Sequence, residues 1–393
     1  MISRIPNLPF GKKSFFLFGP RQVGKSTLVQ HALRNKEHIE IDLLKSDILL
    51  KYNRNPELLR HEVDFLAQKG QLVIVFIDEI QKVPELLNEI HYLIEKYKEN
   101  VSFVMTGSNA RKLKRKSVNM LAGRAWQFSL FPFTHTELGS SFRLDDILLT
   151  GSLPPVIHDD LHDTFQTLKT YTLTYLKEEI LDEALTRNIS AFSRFLDLAA
   201  DQSGKIVNFS TISRETGVTS KTIKGYYQIL EDTLVALKIE PYLKSARKRL
   251  VRHPKYYLFD LGCVNSLVGR TLPASIKPPT VYGMLFEHFV ILEIYRLLSY
   301  SEQFFRVFHW RSSHGAEVDL IVEKEDAVWA VEIKSVPLVR TGDLRGLKSF
   351  VEDYEGARPI CISTADRPYM AGVLPVVPWQ MAFGPEWLDL SLD

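Results

Sequence analysis

The sequence predicts an α/β protein whose first part holds a parallel sheet and whose last part holds a second α/β region. Apolar runs at residues 15–18, 72–77 and 101–105 suit buried strands. A strand that is apolar along its length is typical of a central parallel strand, because both faces of such a sheet are covered. Two alternating segments, at residues 317–323 and 328–334, suit the paired strands of a later hairpin.

Length and composition describe an ordinary globular protein. At about 150 residues per domain, the 393 residues predict two or three domains. The chain is 45% hydrophobic and 24% charged, and its net charge of +2 says little about partners. Its two cysteines, Cys263 and Cys361, suggest neither a disulfide framework nor a zinc site. Because no apolar run approaches the roughly 18 residues of a membrane span and no signal peptide is evident, we predict a cytoplasmic protein without membrane contact.

Residues 19–26 read G-P-R-Q-V-G-K-S, a complete phosphate-loop (P-loop) pattern between a predicted strand and a predicted helix. In such a loop, backbone N–H groups surround phosphate oxygens and the helix N-terminus adds its dipole. Lys25 is expected to reach the β- and γ-phosphates, and Ser26 to ligate Mg²⁺. A glycine-rich turn that matches by chance is the alternative. The predicted nucleotide-binding residues of this segment are Gly19, Pro20, Arg21, Gln22, Val23, Gly24, Lys25, Ser26 and Thr27.

Asp78 and Glu79 directly follow the apolar run at residues 72–77. The carboxyl end of a parallel strand is where ligands of open α/β sheets bind. We expect Asp78 to hold Mg²⁺ through water, and Glu79 to orient and polarise the attacking water as a catalytic residue. A surface turn after a strand is the alternative.

Two further candidate sites follow these acids along the chain. Ser108 and Asn109 end the third apolar strand and could contact the γ-phosphate or the water, although a helix cap would use the same residue types. Arg124 stands directly before another predicted strand and is our candidate arginine finger, acting on a neighbouring subunit's nucleotide. In that role it requires an oligomer. A structural arginine paired with an acid is the alternative.

In their order along the chain, these motifs resemble the AAA+ ATPases, with Walker A and Walker B elements. They resemble in particular a broad prokaryotic family with the patterns G-P-R-Q-V-G-K-[ST], D-E-[IV]-Q, T-G-S and L-x-G-R, found here at residues 19–26, 78–81, 106–108 and 121–124. The resemblance implies ATP and Mg²⁺ as cofactors, hydrolysis of ATP with water to ADP and phosphate, and a homo-oligomer, expected to be a hexameric ring. Ser152 stands where this family pattern has a second glycine.

The middle of the chain predicts a helical lid at residues 157–200 and a winged helix. Residues 210–231 read as a helix-turn-helix, and residues 235–242 and 255–259 read as the strands of its wing. We expect the basic residues between these strands to contact the phosphate backbone of duplex or branched DNA. These predicted DNA-binding residues are Lys244, Arg247, Lys248, Arg249 and Arg252. A protein-binding winged helix is the alternative. A second basic run at residues 111–116 could line a pore or follow a phosphate backbone, and a solvated helix face explains it equally well.

A symmetric turn in the late hairpin places Asp319 opposite Glu332, with Lys334 on the same face. Two carboxylates can hold a hard divalent metal, and a lysine can position water or stabilise developing charge. This arrangement resembles the PD-(D/E)XK nucleases, which implies a second divalent metal at Glu287, Asp319 and Glu332, with Lys334 as a nuclease catalytic residue. Val318 stands where the family often has proline. A hairpin with cross-strand ion pairs is the alternative.

We therefore predict three domains: an AAA+ P-loop ATPase core at residues 1–150, a helical lid and winged helix at 151–270, and an α/β PD-(D/E)XK nuclease-like domain at 271–393. The predicted function is that of an oligomeric ATPase that acts on DNA by remodelling, translocation or branch migration, with or without metal-dependent cleavage. The alternative is a nucleotide-dependent switch that binds a protein partner through a non-cleaving nuclease-like domain. A regulator that reads an operator is less favoured, because basic residues suit backbone contact.

Overall fold

The computed structural model describes residues 2–68, 72–108, 121, 123–157, 159–176, 188–243, 253–312 and 314–383. The chain divides into two compact units. The first unit comprises Ser3–Pro132 with Asp232–Val235, and the second comprises Phe133–Glu231 with the residues that follow Val235.

The first unit is an α/β layer structure around one parallel sheet. Its strands are β1 (Ser14–Phe18), β2 (Ile39–Asp42), β3 (Val73–Asp78), β4 (Val101–Gly107) and β5 (Ala125–Ser129). All neighbouring strands pair parallel, in the order β2-β3-β4-β1-β5. The helices are α1 (Lys25–Leu33), α2 (Ser46–Arg54), α3 (Leu58–Ala67) and α4 (Leu86–Tyr97), with short 3₁₀ turns at Ile80–Lys82 and Lys98–Asn100.

The central strands can be predicted from the sequence because they are buried. Every residue of β1, β3 and β4 is buried, so each of these strands must be apolar on both faces. Leu59, Val63 and Ala67 recur every fourth residue on α3 and share one core with the strands. Parallel pairing brings the carboxyl ends of β1, β3 and β4 to one edge of the sheet, which is where the P-loop and the Asp78-Glu79 pair begin.

The second unit begins with helices and ends with a sheet. Its helices are α5 (His135–Leu138), α6 (Leu144–Thr150), α7 (Leu161–Thr170), α8 (Ile189–Asp201), α9 (Phe209–Thr216), α10 (Ser220–Asp232), α11 (Leu261–Leu267), α12 (Pro279–Tyr300), α13 (Arg345–Asp353) and α14 (Trp379–Ala382), with a π-helix at Tyr171–Leu176 and 3₁₀ turns at Gly139–Ser141, Pro154–Val156, Pro273–Ile276 and Thr341–Leu344. Its strands are β6 (Ala236–Pro241), β7 (Lys255–Leu258), β8 (Phe305–Arg311), β9 (Glu317–Lys324), β10 (Ala327–Lys334), β11 (Arg358–Ser363), β12 (Tyr369–Ala371) and β13 (Leu374–Pro378).

These eight strands form one sheet in the order β12-β13-β11-β10-β9-β8-β6-β7. β6 pairs antiparallel with β7 and parallel with β8, so the two strands that the sequence assigns to a wing lie at the edge of the sheet that holds the late hairpin. In that hairpin Val331 lies opposite Leu320, the register expected from a symmetric turn. The predicted fold class, α/β with a parallel sheet followed by a second α/β region, is confirmed.

Two apolar clusters cover the two faces of the eight-stranded sheet. One contains Phe286 and Phe289 of α12, and the other contains Leu347 and Phe350 of α13. The alternating residues of β10 divide between them, since Val331 joins the first cluster and its neighbour Ala330 joins the second. Among the described residues, no helix combines the length and the apolar character needed to span a lipid bilayer.

A buried polar network formed by Asp260 and Arg296 fixes the backbone around Gly151. The Asp260 carboxylate, which is 1% exposed, accepts a hydrogen bond from the Ser152 backbone N–H at 2.8 Å. Gly151 has φ +72°, and a Cβ there would lie 2.2 Å from Asp260 Oδ1. The Arg296 guanidinium donates to the Ser152 hydroxyl at 3.1 Å and to the Phe259 carbonyl at 2.7 Å. Ser152, the departure from the family pattern, therefore contributes a hydroxyl that binds a buried arginine.

We predict that Gly151→Ala destabilises the protein by about 3 kcal/mol or more, because the added Cβ collides with a buried carboxylate and the backbone is left-handed. Gly356→Ala is the matched control: Gly356 also has positive φ, +84°, but a Cβ there meets nothing within 4 Å. The control should cost only about 1 kcal/mol. Urea denaturation gives both free energies of unfolding, and equal losses would contradict the role of the Asp260 contact.

Candidate functional site

The P-loop connects β1 to α1 through a strained turn. Gly24 has φ 91° directly before α1, and Gln22 is left-handed with φ 59°. A Cβ on Gly19 would lie 2.2 Å from the Leu130 carbonyl oxygen, so this position admits only glycine without a backbone shift. The turn leaves the first N–H groups of α1 directed out of the helix, which suits an anionic group.

Lys25 is buried inside this loop. Its ammonium group donates to the carbonyl oxygens of Gly19 and Pro20, each at 2.9 Å. Burial lowers the pKa of Lys25 to about 8, although the nearby Glu79 and Asp78 carboxylates act in the opposite direction. The amine is thus held at the loop by two weak acceptors, which phosphate oxygens could replace with stronger charge-assisted bonds.

Asp78 joins three segments of the first unit. The Ser26 hydroxyl donates to both of its carboxylate oxygens, at 2.9 Å and 2.7 Å, and the Thr106 hydroxyl also donates to Oδ1. Ser26 lies in the first turn of α1, Asp78 ends β3 and Thr106 belongs to β4. Hydroxyl and carboxylate oxygens are the ligand types that Mg²⁺ prefers, so Ser26 and Asp78 fit the metal that the P-loop implies.

Glu79 is buried beside the end of β4. Its backbone is left-handed with φ 60°, an uncommon conformation for a residue with a side chain. Gln81 Nε2 donates to Glu79 Oε2 and, at 3.1 Å, to the Ser108 hydroxyl. The Glu79 backbone N–H points to the Thr106 hydroxyl at 3.4 Å. The structure therefore groups Glu79 with Ser108 through Gln81.

The remaining predicted residues of the first unit lie in different settings. In the loop, Val23 is buried, Arg21 is part-buried and Thr27 is exposed. Arg124 Nε donates to the Glu95 carboxylate of α4, an ion pair of the kind that the structural alternative for Arg124 anticipates. Asn109 lies outside the described residues.

The predicted DNA contacts also lie outside the described residues: Lys244, Arg247, Lys248, Arg249, Arg252 and the basic run at 111–116. The described helices nearby in the sequence are α9 and α10, joined at Gly217 with φ 74°. On α10, the exposed side chains of Lys221, Lys224 and Gln228 are spaced three and four residues apart, so they share one face.

A second group of titratable side chains lies in the other unit. Lys334 Nζ is 2.6 Å from Glu332 Oε1, and the Ile333 N–H donates to Asp319 Oδ2 at 2.8 Å. Glu287 of α12 is bound instead by residues of β7. The Tyr257 hydroxyl donates to Glu287 Oε1 at 2.7 Å, and Lys255 Nζ is 3.5 Å from the same oxygen. We call Glu287, Asp319, Glu332, Lys255 and Lys334 the acid–lysine cluster.

Mutual proximity shifts the proton affinities of this cluster. Burial raises the pKa of Asp319 well above its ordinary value, and the neighbouring Glu332 and Glu287 carboxylates raise it further. Burial acts to lower the pKa of Lys255, but Glu287 and Asp319 outweigh it and the pKa ends above the ordinary value. The charges in the cluster therefore interact strongly enough to titrate together.

The acid–lysine cluster does not fit a second metal ion as it stands. Within the described part of the chain, no three His, Cys, Asp or Glu side chains are arranged as a metal-binding group. The carboxylates are partnered by lysines, a tyrosine and a backbone N–H. Glu332 Oε2 is buried and has no hydrogen-bond partner among the described residues.

Comparison with known families gives the first unit its class. Residues 11–139 match the family model of the AAA domain. The match supports an AAA-like P-loop domain in this part of the chain. Such a domain implies nucleotide hydrolysis with ATP and Mg²⁺, which the pairing of Ser26 with Asp78 accommodates.

The rest of the chain matches families whose role is open. Residues 141–274 and 282–381 match two models, each described as a domain of unknown function (DUF8612 and DUF4143). Uncharacterized proteins of Mycobacterium tuberculosis and Mycobacterium bovis are each 26% identical over 346 residues, 87% of this chain and 74% of theirs. An uncharacterized protein of Haemophilus influenzae is 23% identical over 341 residues, 80% of each chain. Neither a winged helix nor a nuclease fold is named by these similarities, so both stay predictions.

Four residues of these two sites have no role indicated by the sequence motifs: Gln81, Thr106, Lys255 and Tyr257. Gln81 belongs to the same short motif as Asp78, and Thr106 belongs to the same short motif as Ser108. These positions are the sequence signal for both residues, which bind across the two motifs. Lys255 and Tyr257 are two residues apart, and so share one face, on the short buried strand β7. A lysine within a buried strand is rare unless it is paired, which was the signal for Lys255.

Proposed function

We propose that the protein is an ATPase that works on DNA as a homo-oligomer, with a hexameric ring as the expected assembly. The observation that carries the ATPase proposal is the convergence of Lys25, Ser26, Asp78 and Glu79 at the carboxyl edge of the parallel sheet. The match of residues 11–139 to the AAA domain supports it.

Each residue of this site has a separate role in the proposed reaction. Lys25 would exchange its two carbonyl contacts for the β- and γ-phosphate oxygens, and Ser26 and Asp78 would hold Mg²⁺. The metal, when bound, neutralises charge on the phosphates. Glu79 would orient and polarise the attacking water. Gln81 would hold the Glu79 carboxylate in position, because its amide bonds both that carboxylate and the end of β4.

We predict that Lys25→Ala abolishes ATP binding, whereas Glu79→Gln retains binding and lowers turnover about a hundredfold or more, since it removes the base. A fluorescent ATP analogue measures binding, and phosphate release measures turnover. Glu99→Gln, an exposed acid in the same unit, is the control and should behave as wild type. Unchanged turnover in Glu79→Gln would contradict the assignment of Glu79.

The arginine-finger role of Arg124 competes with its ion pair to Glu95. If Arg124 acts on a neighbouring subunit, Arg124→Ala should lower turnover about a thousandfold while sparing ATP binding, because positive charge at the transition state is lost. Glu95→Gln then removes only the resting partner and should leave turnover unchanged or higher. Equal losses in both variants would show that the ion pair is structural. Mixing Arg124→Ala with Lys25→Ala should restore activity only when the site is shared between subunits.

The DNA proposal is supported in the described residues by the basic face of α10. Lys221 and Lys224 are exposed on one side of the second helix of a helix-turn-helix arrangement. Neither similarity nor geometry identifies the nucleic acid, so the proposal depends on this face together with the basic residues at 244–252.

We predict that reversing Lys221 and Lys224 to Glu weakens duplex DNA binding and makes its salt dependence shallower by about one to two counterions, since phosphate contacts are lost. Fluorescence anisotropy at several salt concentrations, on linear, forked and four-way DNA, gives both quantities. Reversing Arg345 and Lys348, two exposed basic residues of α13, is the matched control. An equal loss in the control would contradict a specific role for α10.

The second candidate function is a nucleotide-dependent switch whose late domain binds a protein partner without cutting. The pairing of Glu287 with Lys255, which is not part of the nuclease-like motif, favours this function over metal-dependent cleavage. Absence of DNA binding in the anisotropy experiment would favour this candidate.

A further inference from the structure

Lys255 belongs to the acid–lysine cluster but is not part of the predicted nuclease motif. The motif residues belong to α12, β9 and β10, whereas Lys255 lies on β7, two strands beyond β8 in the sheet. Its side chain is only 8% exposed, and its ammonium group lies 3.5 Å from Glu287 Oε1. Burying an ammonium group costs free energy unless carboxylates lie nearby. A lysine is therefore tolerated at position 255 because the acidic side chains offset that cost.

The charges of the cluster nearly balance without a metal ion. Glu287, Asp319 and Glu332 carry the acidic groups, and Lys255 and Lys334 carry two positive charges. Lys334, which is the lysine of the predicted motif, donates from Nζ to Glu332 Oε1 at 2.6 Å. Lys255 therefore supplies positive charge beside Glu287, where the motif would place a divalent cation, and Asp319 also acts on it electrostatically.

We propose that the Lys255 ammonium group takes the place of a divalent cation, so that ion pairs, and not a metal ion, balance the carboxylates of the acid–lysine cluster. The inference deepens the second candidate function, because it explains how a nuclease-like face would be retained without cleavage.

Electrostatics and geometry both support this exclusion. A divalent ion needs several oxygens around one point at roughly 2.0–2.6 Å, and Glu287 Oε1 is already bound by the Tyr257 hydroxyl at 2.7 Å. An ammonium group beside the same carboxylates repels a second cation. Displacing Lys255 would leave its charge without a partner in a buried position, which is strongly unfavourable.

The same argument predicts a latent metal site. Without Lys255, the part-buried carboxylates of Glu287 and Asp319 and the buried carboxylate of Glu332 would lie near one lysine. Glu332 Oε2 already lacks a hydrogen-bond partner within the described residues. Such a region gains from binding a hard cation with oxygen ligands. A neutral residue of similar size at position 255 should therefore create Mn²⁺ affinity that the natural sequence lacks.

The test counts bound Mn²⁺ on the full chain by electron paramagnetic resonance, without nucleotide or DNA. All proteins carry Ser26→Ala, which removes the P-loop hydroxyl ligand. We expect Lys255→Met to gain one Mn²⁺ per chain, bound about tenfold or more tightly than any site of the background protein. Adding Glu332→Gln should abolish the gain, and Lys255→Arg, which keeps the charge, should show none.

Two results would overturn the proposal. One is Mn²⁺ binding by the background protein that Glu332→Gln removes, because metal would then bind beside Lys255. This comparison needs no variant of Lys255, so it holds even if Lys255→Met fails to fold. The other is a folded Lys255→Met protein, judged by circular dichroism, that gains no Mn²⁺. Neither readout involves ATP turnover, DNA or a protein partner, so the proposed functions are tested separately.

Discussion

The Asp78 carboxylate is the contact on which the nucleotide site depends. It receives the Ser26 hydroxyl from the start of α1 and the Thr106 hydroxyl from β4, while its own backbone ends β3. These hydrogen bonds are charge-assisted and are therefore stronger than neutral ones. They hold the loop, the central strand and its neighbour in register, so that Glu79, the next residue, is carried to the same edge of the sheet.

The P-loop and the acid–lysine cluster differ in the partners of their buried charges. In the P-loop, Lys25 is held by two neutral carbonyl oxygens, and anionic phosphate would be a better partner than either. In the acid–lysine cluster, lysines already oppose the carboxylates. A buried charge with a weak partner favours ligand exchange, whereas charges that are already paired resist it. The contrast is consistent with the second candidate function, in which the P-loop exchanges ligands and the late domain binds a partner without cutting.

Much of the fold could be predicted because the relevant signals are local. Residues 72–77 read as a buried strand since β3 is covered on both faces, and the register of the late hairpin follows from its turn. The P-loop residues lie next to one another, so their pattern is visible in any reading of the sequence. The partner of Arg124 could not be predicted, because Arg124 lies in a turn before β5 and Glu95 lies 29 positions away on α4.

The sequence by itself determined the fold class, the P-loop and the acids at the strand end, since strand burial and loop chemistry depend on neighbouring residues. Only the tertiary structure decided which distant groups meet. Gln81 binds Glu79 and Ser108 because β4 lies beside β3, and Lys255 reaches Glu287 because β7 lies at the edge of the second sheet. Electrostatic partners act over distances of a few ångströms, which depend on the packing of whole elements and leave no periodic trace along the chain.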